Sequence, residues 1–234
     1  MSTAVIALTF KRVEATQQVW ANNLKNRSYL LSAHHPVYWW DNTPHGPERE
    51  ALVQIAANYH INHAFHDGSN YGIAHPINRM AERIFADGHD GFVTMASDIM
   101  EPANWIEHRS SFAAMLPAGI VAIPPGKHHT AVARYPRQEH NGIGYEHGGD
   151  IIGNWYVSKE AYEKIGQFPE HYGIYGPIDL EYCARARKAG ILAVYLSDLE
   201  ANCIPVQDDS EYILAKNKSL AEAWPIYSNV MSNL

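Results

Sequence analysis

Short apolar runs alternating with helix-compatible segments fill the first hundred residues, and no other feature constrains the fold as tightly. Val5–Leu8, the aromatic run "HPVYWWDN", the segment from Ile61 to Phe65 and "GFVTMAS" each suit a buried β-strand. Between them lie segments of helical composition at 14–25, 49–58 and 73–84. In the last of these, Ile73, Ile77, Met80 and Ile84 recur at three- and four-residue steps, and Pro76 falls in the first turn, where its missing N–H costs little. Strand, helix, strand in strict succession predicts a mostly parallel sheet covered by helices. In such sheets ligands bind outside the carboxyl ends of the strands. Three polar clusters, Thr9–Arg12, Asp41–Thr43 and Ser97–Asp98, fall at those ends.

Composition narrows the function classes. A formal net charge of −7 argues against a protein that grips a polyanion with its whole surface. No run approaches the roughly 18 apolar residues of a membrane span. The N-terminal apolar run is followed, not preceded, by its positive charges, so it suits a first strand better than a signal peptide. Cys183 and Cys203 have neither metal-site nor redox spacing, and a reduced, cytoplasmic setting is expected. The 14 histidines include no HExxH or comparable pattern.

The second half is less regular. A helix is expected over 105–116, a strand in "GIVAIPP", a strand in "WYVS", then a helix capped by Ser158 and another from Leu180 to Ala189, followed by the strand "ILAVYL". Residues 126–150 are rich in Gly, His and Arg and show little periodicity, as a long functional loop would. The C-terminal "SLAEAWPIYSNV" is only weakly helical.

Five segments, in order, resemble the family 2 glycosyltransferases: "VIALTFKR", "VYWWDN", "NYGIAHPINRMAE", "VTMASDIM" and "GNWYVSKEAYEKIGQFPEHYGIYGPIDLEYCARARKAG". The resemblance covers about 4–198. It implies a single GT-A type, Rossmann-like α/β domain with a mostly parallel central sheet flanked by helices. Residues 1–100 would form the nucleotide-sugar-binding half, 101–200 the acceptor-binding half and 201–234 a C-terminal extension. The implied activity is inverting transfer of a single sugar from a nucleotide-sugar donor, assisted by a divalent metal (Mn²⁺ or Mg²⁺).

The resemblance also assigns roles. Asp98 matches the second acid of an Asp-x-Asp motif and would hold the metal, its alternative being an N-cap for a helix starting near Glu101. Donor contacts would come from Thr9, Arg12, Asp41, Asp67, Asn70, Arg79 and Ser97, with Asp41 accepting from the base. Turn chemistry or exposed ion pairs are the alternatives for Asp41 and Arg79. Asp179 would be the base that takes the acceptor's proton, its alternative being a helix cap. Trp155, Tyr172 and Tyr175 would contact the acceptor, although aromatic residues on strands commonly pack in cores.

The chain departs from the family pattern at three points. Ala96 replaces the first acid, Ile178 replaces an expected Glu, and no histidine follows His171 to complete a metal site. Asp198, Asn202, Asp208 and Asp209 are the available substitutes. These departures favour a competing reading, a catalytically degenerate domain that binds a nucleotide sugar or a partner. The acceptor could be a glycan, a small molecule, a protein or a modified nucleic-acid base. The last would need the basic stretch Lys127–Arg137. A nucleotidyltransferase is disfavoured because "TFKRVEATQQ" contains no glycine for a pyrophosphate loop.

Overall fold

Strand β1 (Thr3–Thr9) sends Ala4 and Ile6 to one face of a sheet and Val5 and Ala7 to the other, all fully buried, so helices must cover it on both sides. A computed structural model describes residues 2–25, 35–61, 63–115, 118–126, 136–148 and 153–234. The first half follows the expected alternation: α1 (Val13–Asn23), β2 (Val37–Asp41), α2 (Pro47–Asn58), β3 (His63–Phe65), α3 (Ala74–Ala86) and β4 (Gly91–Met95). After it come β5 (Ile99–Met100), α4 (Trp105–Met115), β6 (Ala118–Ala122), β7 (Gln138–His140), β8 (Ile143–His147), β9 (Trp155–Ser158), α5 (Lys159–Ile165), α6 (Ile178–Lys188), β10 (Leu192–Leu196), β11 (Asn202–Cys203) and α7 (Ser210–Asn233).

The main sheet has nine strands in the order β3-β2-β1-β4-β9-β6-β10-β8-β7. Seven point the same way; β9 and β8 are reversed. Strands from before residue 100 occupy one side and later strands the other, joined where β4 pairs with β9. Residues of α3, α5 and α6 pack in the core on one face, and residues of α1, α2 and α4 in the core on the other. The mostly parallel, helix-flanked α/β sheet is the expected fold. Ser158 caps α5 as expected, its Oγ accepting from the Ala161 N–H at 3.1 Å.

One expectation is corrected and another extended. The stretch over 126–150 is not wholly irregular: β7 and β8 form a hairpin through Asn141-Gly142, both in left-handed conformations. Asn-Gly is a strong hairpin signal because both central positions of such a turn require positive φ. At the C-terminus, the weakly helical stretch 219–230 is helical as read and lies within a longer, 24-residue helix, α7. Asp209 opens it, its carboxylate accepting from the Tyr212 N–H at 2.7 Å. The basic stretch from Lys127 lies outside the described residues as far as 135, and Arg137 at its end pairs with Asp198 at 2.9 Å.

Candidate active site

A cavity of about 350 Å³ opens at the carboxyl ends of β1 and β4, where the strand order places the two halves of the sheet side by side. Thr9, Arg12, Ser97, Asp98, Trp155, Tyr175 and Asp179 all line it. Residues far apart in sequence and singled out for separate reasons therefore share one space.

Asp98 sits on the turn between β4 and β5, and a buried network fixes that turn. Glu101 and Arg109 form an ion pair at 2.8 Å with both side chains fully buried. Asn154 donates to Glu101 Oε1 at 2.7 Å and accepts from the Ala96 N–H at 2.7 Å. Asn23 donates to the Ile99 carbonyl and accepts from the Glu101 N–H, closing the turn from the α1 side. Ala96, in the position of the missing acid, thus contributes its backbone. Helix α4 begins only at Trp105, so Asp98 is not its cap.

The Asp98 carboxylate meets Arg12, whose Nη1 donates to Oδ2 at 2.9 Å. The same guanidinium grips Asp208 with a fork, Nε to Oδ1 at 2.7 Å and Nη2 to Oδ2 at 2.8 Å. Lys11 and Arg12 both have positive φ, 54° and 51°, a strained backbone that turns the Arg12 side chain off the end of β1. Asp208 arrives because β11 pairs with β5 and the Ile204 N–H donates to the Asp98 carbonyl at 2.9 Å. Among the four substitutes for the absent histidine, Asp208 is the one brought beside Asp98. Asp198 instead accepts from Arg137 and the Gly144 N–H, and Asp209 caps α7 and pairs with Lys11 at 2.9 Å. Among the described residues, no group of three or more His, Cys, Asp and Glu side chains converges as a metal site.

Asp41 is fully buried behind Thr9. Its Oδ1 accepts from the Thr9 hydroxyl at 2.9 Å and the Thr43 N–H at 3.0 Å, while its Oδ2 is buried without a hydrogen-bond partner. Burial raises its pKa above the usual carboxylate value. Asp67 and Asn70 stand apart from the cavity and shape the turn into α3, accepting from the Ser69 and Gly72 N–H groups. Gly72 ends that turn with φ of +73°, and a Cβ there would lie 2.5 Å from the Ile174 backbone, so the turn and the loop before α6 are in close contact. Arg79 is exposed and pairs with Glu82, away from the cavity.

On the other wall, α6 begins at Ile178, placing Asp179 in its first turn, not at its cap, and facing the cavity. The preceding loop is anchored by Glu181, one of the buried acids, which accepts from the Tyr172 hydroxyl at 2.6 Å and meets His171 at 2.9 Å. Tyr172 is thereby buried in the core beside the cavity, whereas Tyr175 and Trp155 reach the cavity itself. Trp155 also stacks on Phe168, so it serves core and cavity together.

Sequence reasoning missed Asn154, Tyr212 and Lys216. The first lies inside the segment "GNWYVS", where only the neighbouring Trp155 was given a role in the site. Tyr212 and Lys216 belong to α7, and the spacing of Tyr212, Lys216, Ser219 and Ala223 in steps of four, three and four was the available signal.

This architecture is the GT-A glycosyltransferase fold. A mannosyltransferase from Pyrobaculum calidifontis, solved with GDP-mannose and Mn²⁺, superposes with a TM-score of 0.66 at 16% identity, covering 90% of this chain and 59% of its own. GalNAc-T7, solved with UDP, GalNAc and Mn²⁺, gives 0.70 at 9% identity over 89% of this chain and 44% of its own. TarS of S. aureus, residues 1–349 with UDP-GlcNAc, gives 0.64 at 13% identity over 88% and 60%. The chain thus spans about half the length of these structures. No protein-family model and no curated protein sequence matches it. No helix among the described residues is long and apolar enough to cross a membrane.

Proposed function

We propose that the chain transfers a single sugar from a nucleotide-sugar donor to an acceptor hydroxyl with inversion, assisted by a divalent cation. The observation that carries this reading is the cavity itself, which Asp98, Arg12 and Asp179 line together in a GT-A fold. Asp98 and Asp208 would hold the cation, since two carboxylates already converge on one positive group there and Mg²⁺ and Mn²⁺ favour oxygen ligands. The bound cation would supply counter-charge to the departing diphosphate.

The chain's own residues do the rest. Asp179 accepts the proton of the acceptor hydroxyl as its oxygen attacks the anomeric carbon and the bond to the diphosphate oxygen breaks. Arg12, which holds Asp98 and Asp208, would turn its guanidinium to the phosphate oxygens only when released from those carboxylates. Thr9, backed by Asp41, lies on the donor side, and Trp155 and Tyr175 offer flat faces to sugar rings on the acceptor side. The acceptor itself is a glycan, a small molecule, a protein or a modified base.

A non-catalytic binding domain is the second reading, favoured by Ala96, which brings only a backbone N–H where a carboxylate was expected. One experiment separates them: release of nucleoside diphosphate from a panel of nucleotide sugars, with and without Mn²⁺. Metal-dependent release that disappears in Asp98→Ala supports the enzyme. Donor binding without release by any member of the panel supports the binding domain, and neither binding nor release overturns both.

A further inference from the structure

Helix α7 turns one face to the cavity. Tyr212 and Lys216, one turn apart, line it, Ser219 donates from Oγ to the Tyr175 carbonyl at 2.6 Å and accepts from the Tyr175 N–H at 3.1 Å, and Ala223 is buried against Gly176. The helix is therefore docked on the loop that leads to Asp179, and it carries a cation over the cavity. The Lys216 ammonium lies 4.4 Å from the centre of the Tyr175 ring.

Two cations line this cavity, and they are held differently. Arg12 is committed to Asp98 and Asp208, whereas no carboxylate among the described residues pairs with Lys216. The two are linked through Tyr212, whose ring lies 5.8 Å from the Arg12 guanidinium and whose phenol feels the charge of Lys216. In a protein of net charge −7, a lysine that lines a cavity against an aromatic ring and forms no ion pair among the described residues is positioned for a negative charge that arrives from outside. The Tyr175 face holds the ammonium without neutralising it.

Resting on the glycosyl-transfer reading above, we propose that Lys216 is an oxyanion-binding residue of this cavity, seating phosphate oxygens of the donor. Its ammonium donates to the phosphate oxygens before and after the diphosphate departs, so it favours both donor binding and departure of the leaving group.

The test measures binding by calorimetry in wild type, Lys216→Met and Lys216→Arg, first with inorganic pyrophosphate, then with UDP and GDP against uridine and guanosine. Methionine keeps an apolar stem over Tyr175 and removes the charge. The expected result is pyrophosphate binding weakened about tenfold in Lys216→Met and restored to within about threefold in Lys216→Arg, the scale of one charge-assisted hydrogen bond. UDP or GDP should lose affinity by a similar factor while the nucleosides do not, which places the oxyanion on the donor. Loss for pyrophosphate with UDP and GDP unchanged would keep the oxyanion role and assign it to an acidic acceptor. Equal pyrophosphate binding by wild type and Lys216→Met, or none by wild type, overturns the role of Lys216. The glycosyl-transfer reading fails separately, if pyrophosphate binding depends on Lys216 yet no nucleotide sugar binds.

Discussion

Arg12 donates from Nη1 to Asp98 Oδ2 at 2.9 Å while its other N–H groups hold Asp208, so one guanidinium joins two carboxylates that a divalent cation would also need. The arginine and a cation held there would therefore compete for the same oxygens. Arg12→Met should strengthen Mn²⁺ binding in the absence of nucleotide, by about tenfold for a pair only partly exposed, measured by titration of the Mn²⁺ spin-resonance signal. Without metal, the same variant should speed amide exchange over 204–212, because Asp98 and Asp208 then repel. Weaker Mn²⁺ binding in Arg12→Met would show that the arginine supports the metal and does not compete with it.

Asp179 is the only expected catalytic base, and its position in the first turn of α6 fixes it on the cavity wall. Asp179→Asn should lower kcat by about 10²- to 10⁴-fold while donor affinity stays within about twofold. Transfer at the wild-type rate would remove it from the mechanism.

Glu101 and Arg109 are fully buried, and burial lowers the pKa of the Arg109 guanidinium despite the attraction of Glu101. Glu101→Ala leaves that charge without its carboxylate and should cost about 3–5 kcal/mol in denaturant unfolding. The double variant Glu101→Leu/Arg109→Met should be markedly more stable than Glu101→Ala. Because Glu101 also holds Asn154, and Asn154 the Ala96 N–H, the single variant should weaken Mn²⁺ binding at Asp98 as well.

Burial raises the Asp41 pKa, so its ionised form is disfavoured in the folded state. The sign follows: the protein gains stability from this residue below the unfolded carboxylate pKa of about 4 and loses it as pH rises through the folded value. Asp41→Asn should therefore raise Tm near pH 7, with an advantage that shrinks as pH falls toward 4. An advantage that instead grows in acid would contradict the assignment of burial as the cause.

Much of the fold was legible because its signals are local. β1 alternates apolar residues for two cores, α3 repeats at helical spacing, and Ser158 caps α5, each from a few neighbouring residues. The clustering of Thr9, Ser97 and Asp98 followed from one general property of parallel sheets. Long-range pairings were not legible. Nothing near Asp208 indicates that β11 pairs with β5, and nothing near Tyr172 says that it turns to Glu181, whereas the exposed pair of Arg79 with Glu82, three residues on, was open to a local reading. The β7–β8 hairpin had its signal in Asn141-Gly142, obscured by a stretch whose composition resembled a loop.

The seam between β4 and β9 has a consequence for how the chain is made. β4 is a fully buried run, Gly-Phe-Val-Thr-Met, that pairs with β1 along one edge and with β9 along the other. On a ribosome, β1 through β4 emerge first, and the second edge of β4 has no partner while residues 96–154 are being added. An open, apolar edge of this kind recruits strands from other chains. The interval before Trp155–Ser158 emerges is thus the period of greatest exposure to misassembly, and slowed translation across 96–154 would lower the soluble yield.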